Sequence, residues 1–328
     1  MYECRVSGTG ACLPDRRLTN FDLEKMVDTS DDWIVRRTGI RERRIAAPGE
    51  CTSDLALGAS RAALERAGLD ARDLDVVILC TISPDSYVPA GASHLSRKLG
   101  LTTTAAFDLN AACTGFVYGV AAGAAMVRSG LVRNALVVGA EVLSRLTDYE
   151  DRATCILFGD GAGAAVLSRC EAGCSSRIVD SYLCADGNGA SLIELPAGGS
   201  RMPASAETVA ARAHYLKMQG GEVFKFATRA LAELIEAALE RNRLRPEDID
   251  IVVPHQVNYR IIEAALKKVP VPMEKFYLNL ERYGNTSAAS VPIGLAEAVE
   301  EGRIRKGDTV LLVAFGAGLT WGYNLIIW

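Results

Sequence analysis

The chain holds nine cysteines but only three histidines, and one of each stands where a reactive group belongs. Cys113 lies near the start of "NAACTGFVYGVAAGAAMV", a stretch whose small residues predict a helix over 115–129. A helix N-terminus carries unpaired N–H groups and partial positive charge. A thiol there is expected to be more acidic than its ordinary value of about 8.5 and to attack carbonyl carbon as thiolate, forming a thioester. The alternative for any cysteine is a small buried hydrophobe. Gly115 and the small residues around Cys113 are expected to let a substrate chain approach closely. His255, in "VVPHQVNYR", follows an apolar strand pattern and precedes a helical one; a neutral imidazole can donate a hydrogen bond to a developing oxyanion. Asn285, in "GNTSAAS", can donate from its amide or cap a helix. A thiol with two uncharged donors suits acyl transfer through an enolate. Peptide hydrolysis would instead need a base aimed at the thiol and a path for water.

The elements that must gather these residues come from an internal repeat. "ALERAGLDARDLDVVIL" (Ala63 to Leu79) matches "ALERNRLRPEDIDIVVP" (Ala238 to Pro254) at a shift of 175, with eight of seventeen positions identical. "CTGFVYGVAAGAAMVRSG" lies over "NTSAASVPIGLAEAVEEG" at a shift of 172, which sets Cys113 opposite Asn285. Both copies then run into a strand, "NALVVGAE" and "DTVLLVAFGAG". The pattern predicts two duplicated α/β halves, 1–172 carrying the cysteine and 173–328 carrying the histidine and asparagine. Packed about a pseudo-twofold axis, they would place strand ends and helix starts around a central crevice. Helices are predicted near 53–67, 91–99, 115–129, 221–241, 258–267 and 291–301. Strands are predicted near 2–9, 75–81, 104–108, 135–140, 162–168, 249–253, 309–314 and 322–327. This alternation implies largely parallel, covered sheets. The Gly- and Pro-rich stretch 185–205 reads as a loop framing a site.

Composition narrows the function. Hydrophobic residues make up 49% and charged residues 23%, with a net charge of −4. That fits a soluble globular protein and argues against general nucleic-acid binding. The uncharged run from Leu109 to Val127 is long enough to raise the question of a membrane span, but its Ala- and Gly-rich composition fits a helix packed in protein. The cysteines lack paired CxxC spacings, and Cys170 and Cys174 have no second pair or nearby histidine, so no metal site is expected. Reduced thiols and a cytoplasmic location fit best, and the N-terminal stretch does not read as a signal peptide. "GDGAG" from Gly159 lacks the Lys-Ser/Thr of a phosphate loop and reads as a turn bounding a strand.

Together, "DLNAACTGF", "PHQVN", "YGNTSAAS", "FGDGAGAAVL", "TGIRERRIA" and "FGAGLTW" closely resemble the β-ketoacyl-acyl-carrier-protein synthase III family, which starts type II fatty acid synthesis. The resemblance runs along the whole chain. It implies the thiolase fold, a five-layer αβαβα sandwich of two duplicated halves, in a homodimer with no cofactor. It implies ping-pong chemistry: a primer acyl-CoA acylates Cys113, then malonyl-acyl carrier protein loses CO₂ while His255 and Asn285 hold its enolate, and the carbanion attacks the acyl-cysteine. Backbone N–H groups of Cys113 and Ala317 would hold the other oxyanion. Ala317 stands where many relatives have glycine. Trp33 and Arg152 resemble the pair that sandwiches the CoA adenine, and Arg37 a further CoA contact. Lys225, Arg260, Lys267 and Lys268 resemble the basic patch that receives the acidic carrier protein. Val88 resembles the residue that crosses the dimer to floor the partner's acyl pocket, and its size predicts room for branched or longer primers.

Rival branches of the superfamily fit less well. Thiolases use a second cysteine near the C-terminus, and none follows Cys184. Elongating condensing enzymes use two histidines, and His94 and His214 lie outside any matching motif. A starter-unit enzyme of secondary metabolism, polyketide or quinolone-like, would share every catalytic residue. A non-catalytic scaffold on the same fold would be expected to lose the nucleophile.

Overall fold

The computed structural model describes residues 2–328. Five strands form a first sheet: β1 (Glu3–Cys12), β2 (Val76–Cys80), β3 (Ala105–Leu109), β4 (Asn134–Glu141) and β5 (Gly161–Cys170). Their spatial order is β1-β5-β4-β2-β3. The second sheet contains β6 (Arg177–Ala185), β7 (Ile251–Pro254), β8 (Thr309–Gly316) and β9 (Thr320–Ile327), in the order β7-β8-β9-β6. Strand β2 runs parallel to both β3 and β4, and β7 parallel to β8. Strands β2, β4, β7 and β8 are apolar at nearly every position because both their faces are covered, whereas the edge strand β3 is half exposed; the other neighbours pair antiparallel, so the sheets are mixed where the sequence predicted largely parallel ones.

The covering helices are α2 (Thr52–Ala67), α3 (Gly91–Lys98), α4 (Gly115–Arg128), α5 (Gly220–Asn242), α6 (Tyr259–Leu266) and α7 (Ser290–Glu300), preceded by the short α1 (Asp31–Thr38). Side chains alternate along each strand, so successive residues of β2 enter different cores. Val76, Ile78 and Cys80 join Phe116, Val120, Val291 and Leu295 in a central core between the sheets. Val77 and Leu79 pack outward with Leu55, Ala59 and Leu95 of α2 and α3. On the far side, Leu231, Leu234 and Ile235 of α5 and Ile261 and Ile262 of α6 cover Leu311, Val313 and Leu325 of the second sheet. The layers are thus helix, sheet, paired central helices, sheet, helix, the expected five-layer α/β sandwich.

The structure corrects the register of the repeat. From helices α2 and α5 to strands β4 and β8, equivalent features lie 175 residues apart, including where the sequence match favoured 172. Helices α2 and α5 end at Ala67 and Asn242, α4 and α7 begin at Gly115 and Ser290, and β4 and β8 begin at Asn134 and Thr309. Ala112 and Ser287 share a positive φ, at 46° and 49°. Cys113 therefore corresponds to Ala288, and Asn285 corresponds to Asn110. Each of these asparagines accepts, through its carboxamide oxygen, the N–H two residues on: Asn110 from Ala112 at 3.2 Å and Asn285 from Ser287 at 2.8 Å. The one-turn slip arose because the helix starts share small residues at several offsets.

All predicted helices and strands are present, with ends moved by up to about three residues. Several elements went unpredicted, most of them short pieces such as the strand pair Arg17–Thr19 and Glu42–Arg44; two are longer. Strand β6 is an edge strand of mixed burial and lacks an apolar run. Helix α1 lies in the charge-rich "DDWIVRRT", held by its Ser30 cap and Gly39 at φ 83°. Cys170 and Cys174 are joined as a disulfide across a tight turn in which the Cys174 N–H donates to the Glu171 carbonyl; the sequence favoured reduced thiols. No helix among the described residues is long and apolar enough to cross a membrane.

Candidate active site

Cys113 stands in the single turn between β3 and α4. Ala112 takes the left-handed conformation there, a strained choice for a residue with a Cβ. The turn is tied across to the second sheet. The Thr320 hydroxyl lies 3.0 Å from the Ala111 carbonyl and from Thr114 Oγ1, and the Thr114 hydroxyl donates to the Thr320 carbonyl at 3.2 Å. Gly316, at the end of β8, backs directly onto the nucleophile; a Cβ there would sit 2.9 Å from Cys113 N and Cβ. Only glycine permits that approach. Gly115 was expected to leave room for substrate, but it faces Cys80 and Ala288 in the central core.

His255 follows β7 directly. Its N–H donates to the Val313 carbonyl at 2.7 Å, and its ring meets Phe315 edge-on at 5.5 Å. The rest of "PHQVN" builds the socket. Gln256 Oε1 accepts the N–H groups of Asn279 and Leu280, its Nε2 donates to the Tyr277 carbonyl, and Asn258 caps α6. Both ring nitrogens of His255 are buried without a hydrogen-bond partner. Burial pushes its pKa down to about 3, so the ring is neutral.

Asn285 is held through its backbone, donating to the Leu157 carbonyl at 2.8 Å and accepting from the Gly159 N–H at 3.0 Å. With its Oδ1 engaged by Ser287, the amide Nδ2 is the group left to work. Segment 156–159 is itself fixed by the fully buried Arg43, which donates to the carbonyls of Ile156 and Leu18 and to Asn20 Oδ1. The "GDGAG" run bounds a strand, as its sequence suggested. Asp160 accepts from Ala46 N and from both Ser144 N and Oγ, and the run leads into β5.

Cys113, His255 and Asn285 all line one cavity of about 630 Å³. Ser287, Phe315, Gly316 and Ala317 share the wall, and the Ala317 N–H has no partner among the described residues. Ile82, Leu143, Leu146, Phe158, Leu195 and Leu216 give the cavity an apolar end. The loop at 185–205 contributes Ala190, Ile193, Glu194, Leu195, Ala197 and Gly199, as its composition suggested.

One electrostatic expectation is overturned. Burial pushes the Cys113 thiol up to about 12, with Glu141 adding to the rise and a contact from the Ser287 hydroxyl opposing it. No cation among the described residues offsets this, so desolvation outweighs the hydrogen bonds at the sulfur. Sequence reasoning also missed Ser287 and Glu141. "GNTSAAS" was read for its caps, and Glu141 ended an apolar strand; a carboxylate closing a fully buried strand is the signal that marks it.

The other expected residues lie outside this cavity. Trp33, on α1, has the Arg152 guanidinium 4.8 Å and the Arg37 guanidinium 5.5 Å from its ring centre. Arg152 also pairs with Asp28 at 3.4 Å. Arg260, Lys267 and Lys268 are exposed and form no ion pair among the described residues, whereas Lys225 pairs with Glu222. Helix α6 ends at Leu266, so Lys267 caps it and Lys268 lies just beyond. Val88 is 88% exposed and lies off the cavity, which its neighbour Tyr87 lines.

Comparison with known proteins agrees with this geometry. The family description "3-Oxoacyl-[acyl-carrier-protein (ACP)] synthase III" matches residues 107–187, and its C-terminal counterpart matches 239–328. A β-ketoacyl-[acyl-carrier-protein] synthase III from Caldanaerobacter subterraneus is 54% identical over 323 residues, 98% of this chain and 97% of that protein. The crystal structure of 3-oxoacyl-[acyl-carrier-protein] synthase III from Aquifex aeolicus superposes with a TM-score of 0.91 at 43% identity, covering 99% and 100% of the two chains. The priming β-ketosynthase of the R1128 polyketide pathway also gives 0.91, at 34% identity, covering 99% of this chain and 96% of that one. With the cysteine, histidine and asparagine on one cavity of a five-layer duplicated sandwich, the chain belongs to the β-ketoacyl-acyl-carrier-protein synthase III family of the thiolase fold.

Proposed function

We propose that this enzyme condenses a primer acyl-CoA with malonyl-acyl carrier protein to give 3-oxoacyl-acyl carrier protein, initiating fatty acid synthesis. The observation that carries the reading is the convergence of Cys113, His255 and Asn285 on a single cavity with an apolar end. Cys113 Sγ attacks the primer carbonyl. The Cys113 and Ala317 N–H groups hold the oxyanion, and CoA leaves as its thiol. The primer chain then occupies the apolar end. In the second half-reaction the malonyl thioester oxygen accepts hydrogen bonds from the neutral His255 ring and from Asn285 Nδ2. Loss of CO₂ leaves an enolate at that oxygen. Its carbon attacks the acyl-cysteine, and the thiol is regenerated. A neutral donor suits this step, because it stabilises the enolate without first binding the malonyl carboxylate as an ion pair. Both substrates arrive activated as thioesters, so the reaction requires no cofactor.

Trp33, Arg37 and Arg152 are assigned to the CoA nucleotide; an adenine entering the stack would part Arg152 from Trp33. Lys225, Arg260, Lys267 and Lys268 are assigned to the acidic carrier protein. Helix α6 packs beside α1 at Gly39 and Tyr259, which makes the two basic surfaces neighbours. Residues 1–172 and 173–328 form the duplicated halves, the first holding the nucleophile and the second the decarboxylating pair. The chain acts as a cytoplasmic homodimer. Strand β3 pairs only on its β2 side, and Phe107, Tyr87 and Val88 stand exposed nearby. A second copy added at that edge would bring its Val88 toward this acyl pocket, where valine leaves space for branched or longer primers.

Incubation with acetyl-, isobutyryl- and octanoyl-CoA, followed by mass spectrometry, tests the acyl-enzyme. A primer-sized adduct confined to Cys113 is expected, and its absence would overturn the reading. Replacing His255 or Asn285 by alanine should slow malonyl-carrier-protein decarboxylation about a hundredfold or more while Cys113 still takes up label. Acceptance of a fatty acid carrier protein over a polyketide carrier protein separates this role from starter-unit priming.

A further inference from the structure

The decarboxylating pair comes from two separate stretches of the second half, and one fully buried side chain joins them. Gln256, next to His255, has no exposed surface. Its Oε1 accepts the N–H groups of Asn279 and Leu280, each at 2.8 Å, and its Nε2 donates to the Tyr277 carbonyl at 3.1 Å. Its own backbone N–H donates to Ser290 Oγ at 3.0 Å. Leu280 and Ser290 lie on either side of Asn285 in the chain. From Leu280 one short helical turn, Leu280–Tyr283, leads through Gly284 to Asn285, with the Gly284 N–H donating to the Leu280 carbonyl at 2.9 Å. Ser290 opens α7. The stretch 277–283 is also pinned to α7, because Glu297 accepts from Asn279 Nδ2 at 2.8 Å, the Arg282 guanidinium at 2.9 Å and the hydroxyls of Tyr277 at 3.2 Å and Tyr283 at 2.5 Å. Asn285 thus belongs to one braced body, and His255 to the end of β7. Gln256 is the joint between them at the histidine.

We propose that Gln256 is a positioning residue that sets the spacing between the His255 ring and the Asn285 amide. Both donors must reach one thioester oxygen, and a misplacement of about 1 Å can slow a reaction about a hundredfold. The His255 ring nitrogens have no partner among the described residues, so the ring takes its aim from the backbone and from the Phe315 edge. That backbone is held twice, by the His255 N–H on the Val313 carbonyl at 2.7 Å and by the Gln256 N–H on Ser290. A carboxamide is the group this joint requires. It offers an acceptor for two N–H groups and a donor for one carbonyl. An apolar side chain of the same length would leave those three buried backbone groups unpaired, and a carboxylate would face the Tyr277 carbonyl without a proton to give. Cys113 lies outside the joint, since its turn is tied to Thr320 and backed by Gly316. Gln256 therefore serves the malonyl half-reaction and not the acylation of the cysteine.

This role rests on His255 and Asn285 carrying decarboxylation, so the two are tested apart. In the full-length enzyme, single-turnover CoA release from acetyl-CoA reads acylation, and CO₂ release from malonyl-acyl carrier protein reads decarboxylation. Gln256→Leu should lower kcat for decarboxylation by about tenfold to a hundredfold, with KM and the acylation rate within about twofold of the unaltered enzyme. Gln256→Glu should recover most of that loss, because burial favours its acid form, which again offers an acceptor and one donor. Ser290→Ala removes only the acceptor for the Gln256 N–H. A loss of about fivefold confined to decarboxylation is expected there, and this variant decides the matter if Gln256→Leu fails to fold. If Gln256 merely capped the turn at Leu280, the two half-reactions would change alike or not at all. That result, with decarboxylation still abolished by His255→Ala or Asn285→Ala, would overturn the positioning role and leave the catalytic pair standing. Decarboxylation that survives both alanine variants would overturn the pair itself, and the role of Gln256 with it.

Discussion

At the scale of single residues, the site works by withholding partners. The His255 ring has a backbone tether, an aromatic edge and no acceptor, so burial keeps it neutral and its hydrogen bond in reserve. This has a measurable consequence for stability. The folded ring refuses a proton down to about pH 3, whereas the unfolded chain takes one up near its ordinary 6.5. The contribution of His255 to stability therefore falls as pH drops below 6.5, by up to about 1.4 kcal/mol per pH unit. Glu141 acts in the opposite sense: its acid form persists in the fold up to about 7 and is lost above 4.5 in the unfolded chain, so its contribution is lost as pH rises. Between about pH 6.5 and pH 5 the two contributions oppose each other, so replacing His255 by glutamine should change the slope of denaturant-measured stability by up to about 1.4 kcal/mol per pH unit, leaving a stability that rises as pH drops. An unchanged slope would show that the ring is not shielded as described.

At the scale of elements, the two copies solve the same local problems with different residues. Helix α2 ends at Gly68, φ 66°, which closes the helix in the left-handed conformation at little cost. Its counterpart α5 ends at Arg243, φ 54°, in that same conformation with a full side chain exposed to solvent. The left-handed region costs a residue with a Cβ about 1 kcal/mol. Arg243→Gly should therefore raise the unfolding midpoint, worth about 0.5–1 kcal/mol after the greater entropy of unfolded glycine is offset. A loss of stability would mean that the arginine side chain makes a contribution the cap geometry hides. The paired asparagines tell a related story. Asn110 and Asn285 both brace a left-handed residue two positions on and both line the cavity, but only the second copy also supplies a histidine to it.

At the scale of the whole molecule, the first sheet ends in an open edge. In the second sheet the place equivalent to β3 is reduced to a bridge between Val252 and Phe276. In the first it is a full strand with one side unpaired and Phe107 37% exposed. An exposed apolar strand edge is a template for another strand. A lysine at Phe107 should push the assembly toward monomer in light scattering. It should also reduce turnover with longer primers, whose pocket would then lack the partner's floor. A dimer of unaltered stability in that variant would place the interface elsewhere.

The duplicated α/β pattern, the central Ala/Gly helix, the candidate thiol, histidine and asparagine, and the family were all legible in the chain, because periodicity, turn residues and short motifs are local properties. The repeat was legible too, but its register slipped by three residues at the second match, since small residues at a helix start align equally well at several offsets. Only the tertiary structure put Cys113 and His255, far apart in sequence, on one cavity wall. It also reversed the expected acidity of the thiol, because desolvation depends on everything that surrounds an atom. It put Ser287 on the cavity wall with the sulfur and buried Glu141 at the end of β4, where neither spacing nor composition marked them. What a residue can do chemically was set by its type and neighbours in sequence; which proton it can lose was decided by what the fold packs around it.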